Sequence, residues 1–185
     1  NTNKKLYRAK QNLKNINVVD FELTPDLING RLDSVLRVLY LLFNEGYYSS
    51  NENYDIRKDI CYEAMRLLYI LINNKSTNIH KTNSLMALFC FHVSRFDARI
   101  SKEGEFILYE EQDKSKWDLE LINKGMHFLM KAGTNDTSDY SYEARIAYWH
   151  CQMDVGENQK WNSILQLYNS LLRHKYTPIA ALNRT

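Results

Sequence analysis

The fold of this chain is decided by residues 32–43, which read LDSVLRVLYLLF. Apolar side chains recur there at steps of three and four, as on a helix, and not at every second position, as on a strand. Thr24 and Pro25 offer an N-cap and a proline at the first helical position, and Gly46 is placed to end the helix. So many apolar residues in a short span predict burial on more than one side.

Helical spacing continues through most of the remaining sequence. With only two prolines and six glycines, the chain has few residues that break helices. Helical patterns cover residues 56–71, 78–96, 117–129, 140–151 and 161–172, and a further helix starts at 177. Residues 100–108 lose this spacing and predict two short strands around a glycine turn. Just beyond them, Ser115 and Asp118 loosely resemble a capping box. The expected fold is all-α, an antiparallel helical bundle or solenoid-like stack of about seven or eight helices with one small β-hairpin.

The length of the chain suits one globular domain, or one domain plus a fragment of another. Its 185 residues are 44% hydrophobic, enough to fill one core. Cys61, Cys90 and Cys151 are isolated within helical patterns, which indicates reduced thiols in a cytoplasmic protein. No apolar run approaches the roughly 20 residues that cross a bilayer, so no membrane contact is expected. The first residue is Asn1, which suggests a piece of a longer protein.

Positive charge is concentrated at the start of the chain. Residues 1–19 carry +5 and no acid, so the remainder carries −3 of the overall +2. A basic helical face is usually only solvated, but contact with phosphate is the alternative. The candidate phosphate contacts are Lys4, Lys5, Arg8, Lys10 and Lys14.

Motifs of catalysis are missing from the sequence. It has no glycine-rich phosphate loop, no cysteine or histidine pair at metal spacing, and no nucleophile elbow. We therefore expect neither an enzyme nor a cofactor, catalytic residue or metal site. A hydrolase or metal enzyme on a helical scaffold is a remote alternative.

The most distinctive polar group is His92, Arg95 and Arg99, spaced three and four apart. If one helix continues through them, they form a single stripe. The acidic segment 110–113 could fold back to form an ion-pair cluster that pins the hairpin to this helix. The alternative is a pocket for an anionic ligand or for an acidic segment of a partner.

A second candidate surface follows the first long helix, at Asn44, Glu45 and Tyr47. The simpler interpretation is a helix end with a glycine cap and an anchoring tyrosine. The alternative is a polar contact surface at the mouth of the bundle. His150 is expected to lie in the core or at its rim.

Several strings of the sequence resemble one protein family in the same order. They are the segment 31–47, Ala64-x-Arg66-Leu67, His92-x-x-Arg95-x-x-Ala98-Arg99, Glu111-Gln112-Asp113-x-Ser115-x-Trp117-Asp118, Tyr142-x-Ala144-x-Ile146-Ala147-x-x-His150, Trp161-x-x-Ile164-x-x-Leu167-Tyr168 and Pro178-x-x-Ala181-Leu182-Asn183-Arg184. This order is similar to the C-terminal extension of a subgroup of extracytoplasmic-function sigma factors, whose C-terminal region is tetratricopeptide-like. The basic start resembles the tail of the helix-turn-helix region that reads the promoter.

The resemblance implies a regulatory domain that contributes to transcription initiation through protein contacts. Residues 1–19 would be the tail of the promoter-reading region with its linker, and residues 20–185 the helical extension. Its partners would be the RNA polymerase core and the rest of the sigma factor, with weak or no binding of promoter DNA by this fragment. Gln112, Asp113 and Trp117 would join His92, Arg95 and Arg99 in a polar network or contact surface. The alternative function is a ligand-sensing domain that binds a small anion at His92, Arg95 and Arg99.

Overall fold

The computed structural model describes residues 8, 11, 24–48, 57–101, 106–153 and 155–184. Within them the fold is an all-α bundle, as predicted. The helices are α1 (Pro25–Tyr47), α2 (Lys58–Ile72), α3 (His80–Val93), α4 (Phe96–Arg99), α5 (Leu119–Ala132), α6 (Asp139–His150), α7 (Glu157–His174) and α8 (Pro178–Asn183). Two 3-10 turns, Tyr109–Glu111 and Lys114–Lys116, precede α5. The predicted N-terminal basic segment lies outside the described residues except for Arg8 and Gln11.

Helix α1 buries only one of its faces. Thr24 caps its start, because the Thr24 hydroxyl oxygen accepts a hydrogen bond from the Leu27 amide at 3.4 Å. This N-cap agrees with the one that the sequence predicts. A stripe from Leu32 to Tyr47 lies in the core, but Val38 is 62% exposed. The prediction of burial on several sides is therefore wrong for α1, because α2 and α3 cover one side of it.

Gly46 does not cap α1, since the helix continues to Tyr47. A Cβ atom at this position would lie 2.8 Å from the Cys61 sulfur and 2.9 Å from the Arg57 carbonyl oxygen. The glycine therefore permits close approach of α2. A glycine with positive φ does close α5 at Gly133, where φ is 73°.

Helix α3 is the centre of the bundle. It packs against α1, α2, α5 and α6, and eleven of its fourteen residues are buried. It ends at Val93, because the Ser94 hydroxyl bonds the Phe91 carbonyl at 2.8 Å and the Ser94 carbonyl accepts the Asp118 amide at 2.8 Å. The helix predicted over residues 78–96 therefore ends at Val93, and the condition that one helix continues to Arg99 is not met, because residues 96–99 form the separate helix α4.

The predicted β-hairpin is reduced to one antiparallel bridge between Ile100 and Phe106 in the described part of the chain. Pairing stops because the backbone enters a 3-10 turn at Tyr109. Residues 102–105 are not described. The predicted capping box of Ser115 and Asp118 is not formed at the start of α5. Asp118 is itself the N-cap of this helix, and its carboxylate accepts a hydrogen bond from the Leu121 amide at 2.9 Å.

The bundle contains two apolar clusters. The larger one joins α1, α2, α3, α5 and α6, and includes Trp117. The smaller one joins α6, α7 and α8 through Ile146, Ile164, Leu171 and Ala180. Helix α6 therefore contributes to both clusters, and the candidate site lies along it.

Candidate functional site

A cavity of about 520 Å³ lies between α1, the α3–α4 break, α6, and the pair α7–α8. Tyrosines and apolar residues form much of its wall. The polar and charged side chains that line it are Arg37, Tyr40, Tyr47, Tyr48, His92, Arg95, Arg99, Asp139, Tyr140, Glu143, His150, Tyr168, Lys175, Thr177 and Asn183. Five residues that were proposed from the sequence line this cavity, although they come from four helices and a helix break: Tyr47, His92, Arg95, Arg99 and His150.

Arg95 occupies the break between α3 and α4 and is only 8% exposed. Its guanidinium carbon lies 5.5 Å from the Tyr109 ring centroid and 5.9 Å from that of Trp117, within the range of cation–π contact. Its Nε is buried and has no hydrogen-bond partner among the described residues. No described carboxylate forms a salt bridge with it, so the expected ion-pair cluster is not formed there.

Arg99 reaches the same cavity from α4. Its guanidinium carbon stands 4.1 Å from the Tyr47 ring centroid. Burial lowers the pKa of Arg99 to about 10. The Tyr47 hydroxyl is buried without a hydrogen-bond partner in the described part of the structure. Arg99 therefore stacks on a tyrosine of the cavity wall, whereas Arg95 lies against Tyr109 and Trp117.

His92 and His150 are held in the neutral form. Burial, and then the positive charge of Arg95, lowers the pKa of each ring to about 3. The His92 ring packs 4.6 Å from that of Tyr47, and His150 packs 5.0 Å from Tyr109. The Nδ1 atoms of both histidines lack a partner among the described residues. Each ring can therefore offer one donor and one acceptor nitrogen near Arg95.

Neither Gln112 nor Trp117 lines the cavity, although the Trp117 ring lies beside Arg95. Both are buried, and the Gln112 amide donates to the Ile107 carbonyl at 3.3 Å. Asp113 is exposed and accepts bonds from the Ser115 amide at 3.0 Å and hydroxyl at 2.6 Å. The structure therefore brings Trp117 to Arg95 but leaves Asp113 as a local turn cap.

The remaining sequence candidates are dispersed. Asn44 is half-buried beside Tyr40, whereas Glu45 is exposed. Arg8 is exposed, and Lys4, Lys5, Lys10 and Lys14 lie outside the described residues. Of the group at the end of α1, Tyr47 lines the cavity and the other two do not.

Comparison with known proteins supports a family assignment. A family model described as a family of unknown function (DUF6596) matches residues 31–133, more than half of the chain. The chain belongs to this family. It is also 32% identical over 169 residues to an uncharacterized protein of Rhizobium meliloti (strain 1021). That alignment covers 90% of this chain and 40% of the relative, so the chain spans about two fifths of the relative's length. No solved structure matches the chain.

The DUF6596 match and the cavity overlap only in part. Residues 31–133 contain α1 from residue 31 onward and all of α2 to α5, and with them Tyr47, His92, Arg95 and Arg99. Glu143 and His150 come from α6, beyond the matched residues. We call the part of the cavity lined by Arg95 and Arg99 its cationic end. This end belongs to the DUF6596 segment, and α6 to α8 line the rest of the cavity together with α1.

Sequence reasoning missed the buried Lys160, which is 6% exposed. Its Nζ donates to the Tyr109 hydroxyl, to the Gln152 carbonyl at 3.1 Å and to the His150 carbonyl at 3.4 Å. Burial lowers the pKa of this amine. Its position four residues before buried Ile164 was the available signal, because that spacing places it on the inward face of α7.

Glu143 was also missed. Burial raises the pKa of its carboxyl to about 7, and interaction with the Tyr40 hydroxyl opposes that rise. It lines the same cavity as Arg95 and Arg99. No local pattern marks it, since its neighbours on α6 alternate between the two apolar clusters.

No group of three or more His, Cys, Asp or Glu side chains in the described ranges could hold a metal ion. None of the described helices is long and apolar enough to cross a membrane.

Proposed function

We propose that this chain is a regulatory extension of a bacterial extracytoplasmic-function sigma factor and acts through protein contacts during transcription initiation. The observation that carries the proposal is an exposed apolar stripe on α1. Val35, Val38 and Leu41 are 40%, 62% and 55% exposed. They lie within residues 31–47, one of the most specific strings of the sigma-factor resemblance.

The partner that this surface fits best is the promoter-reading region of the same sigma factor. An apolar stripe of this kind is typical of a surface that another protein covers. The first 19 residues carry +5 and the remainder of the chain −3, so the two parts attract each other. In this proposal the protein acts in the cytoplasm with the polymerase core, and has no chemistry of its own.

The direct test is promoter-specific transcription in vitro with core polymerase. The full-length parent protein is compared with a version that ends just before Thr24. Loss of activity on truncation identifies a required positive element, and increased activity identifies an inhibitory one. Equal activity of the two forms contradicts a regulatory role, and no initiation by either contradicts the sigma-factor assignment.

A surface variant tests the stripe itself without removing the domain. Val38→Glu in the full-length protein should change transcription in the same direction as truncation, because a charge is placed in an apolar contact. Met130→Glu is the matched control, since Met130 is 71% exposed on α5. Equal effects of the two substitutions would exclude α1 as the specific contact surface.

A further inference from the structure

The cationic end of the cavity is not explained by contacts within the described protein. Arg95 is buried and lines the cavity, and its Nε has no partner there. Tyr47 is 1% exposed, and its hydroxyl is likewise without a partner in the described residues. A buried charge with no counter-ion is strongly unfavourable unless something else balances it.

The surrounding groups select for an anion. Arg95 and Arg99 supply guanidinium groups, which match the geometry of carboxylates and phosphates. Neutral His92 can add one hydrogen-bond donor. It does so without bringing a third positive charge close to the two arginines. Two carboxylates line the cavity from α6, Asp139 and Glu143, and the Asp139 carboxylate is already paired with the Lys175 ammonium at 2.6 Å.

The rest of the cavity favours an apolar body. Its wall includes Tyr47, Leu88, Ala147 and Leu171. A volume of about 520 Å³ is within the usual range for small-molecule sites. Inorganic phosphate alone would leave most of this wall without a contact.

We infer that the cavity binds a small organic anion, whose carboxylate or phosphate head group is held by Arg95 and Arg99 and whose apolar body lies among the tyrosines. This inference goes beyond the proposed role in transcription and does not depend on it. In this inference the DUF6596 segment binds the head group of the anion. Helices α6 to α8 form the wall that contacts its apolar body. The bound anion would supply the counter-charge that no described residue provides to Arg95.

The experiment measures thermal unfolding and calorimetric binding of the full chain with benzoate, phenyl phosphate and hexanoate. Benzamide is the neutral match for benzoate, and inorganic phosphate tests the head group alone. At a hundred times its Kd, a bound anion should raise Tm by about 5–10 °C. Benzamide and inorganic phosphate should bind at least tenfold more weakly. Equal binding of benzamide, or no shift with any of the three organic anions, would overturn the inference.

Substitutions locate the site. Arg95→Gln and Arg99→Gln should each weaken binding of the anion at least tenfold. Arg66→Gln is the control, because it removes an equal charge from an exposed position on α2, and it should leave binding unchanged. Arg95→Gln should also keep or raise Tm in the ligand-free protein, because it removes an uncompensated buried charge. A purely structural Arg95 would instead give a lower Tm. Loss of binding in all three variants would indicate nonspecific electrostatic attraction and would refute the assignment. If Arg95→Gln fails to fold, Arg99→Gln still tests it.

Discussion

Mild acid should destabilise this fold through two neutral histidines, His92 and His150. Their pKa values are lowered from 6.5 to about 3, so the folded state takes up these protons far less readily than the unfolded state. The stabilising effect of neutrality is complete above pH 6.5 and is lost progressively as the pH falls towards 3. From pH 6.5 to pH 5 the loss is about 2 kcal/mol per histidine, at about 1.36 kcal/mol per pH unit.

Glu143 acts in the opposite direction in the same range. Its raised pKa of about 7 means that the folded state binds the proton more tightly, so acidification from pH 7 towards 4.5 stabilises the protein through this group. The pH dependence of the wild-type protein is therefore a difference between opposing contributions. A variant that removes one histidine isolates that histidine's share.

Urea unfolding at pH 7 and pH 5 provides the assay. The decrease in free energy of unfolding between these pH values should be about 2 kcal/mol smaller in His92→Gln, and similarly in His150→Gln, than in the wild type. His127→Gln is the control, because His127 is exposed on α5. If His92→Gln and His150→Gln keep the wild-type difference, the account of buried neutral rings is refuted.

Three further predictions concern packing and buried polar groups. Gly125→Ala should be about 1–3 kcal/mol less stable in urea than Gly30→Ala, because a Cβ at 125 meets the Phe91 ring at 2.6 Å while nothing lies within 4 Å of one at 30. Both replacements gain the same helix propensity, so equal stabilities would contradict the packing. Asp136→Ala should cost about 2 kcal/mol in the same assay, since Asp136 accepts the Ser84 hydroxyl at 2.6 Å; an unchanged midpoint would contradict this. The three buried cysteines should react with a thiol reagent only on unfolding, as burial raises their pKa values, and rapid labelling of the folded protein would refute this.

Helices were predictable because local spacing reports which side chains face inward. Helix α3 illustrates the limit of that signal. Its break at Ser94 depends on the amide of Asp118, which is 24 positions away in the chain and invisible to a local pattern. The same limit applies to α1. Its Val38 has the spacing of a buried residue but is 62% exposed.

The site was partly predictable for a different reason. His92, Arg95 and His150 were selected from the sequence by spacing and by family resemblance, and the structure places them at one cavity. Lys160 and Glu143 were not selected, because their surroundings include residues distant in sequence, Tyr109 for Lys160 and Tyr40 for Glu143. Charged residues on amphipathic helices are normally solvated, so composition argues against their burial until the tertiary structure is known.

The position of the cavity links the two proposals physically. Leu41 belongs to the exposed stripe of α1 and also lines the cavity, and Ile179 of α8 lines it from the other side. An anion held at Arg95 would contact both α1 and the smaller apolar cluster, so its binding energy would depend on how α7 and α8 pack against α1. A ligand that binds one packing arrangement more tightly shifts the population towards it. Occupancy of the cavity would thereby change the surface that the stripe offers to a partner, and by linkage the partner would change the affinity for the anion by the same factor.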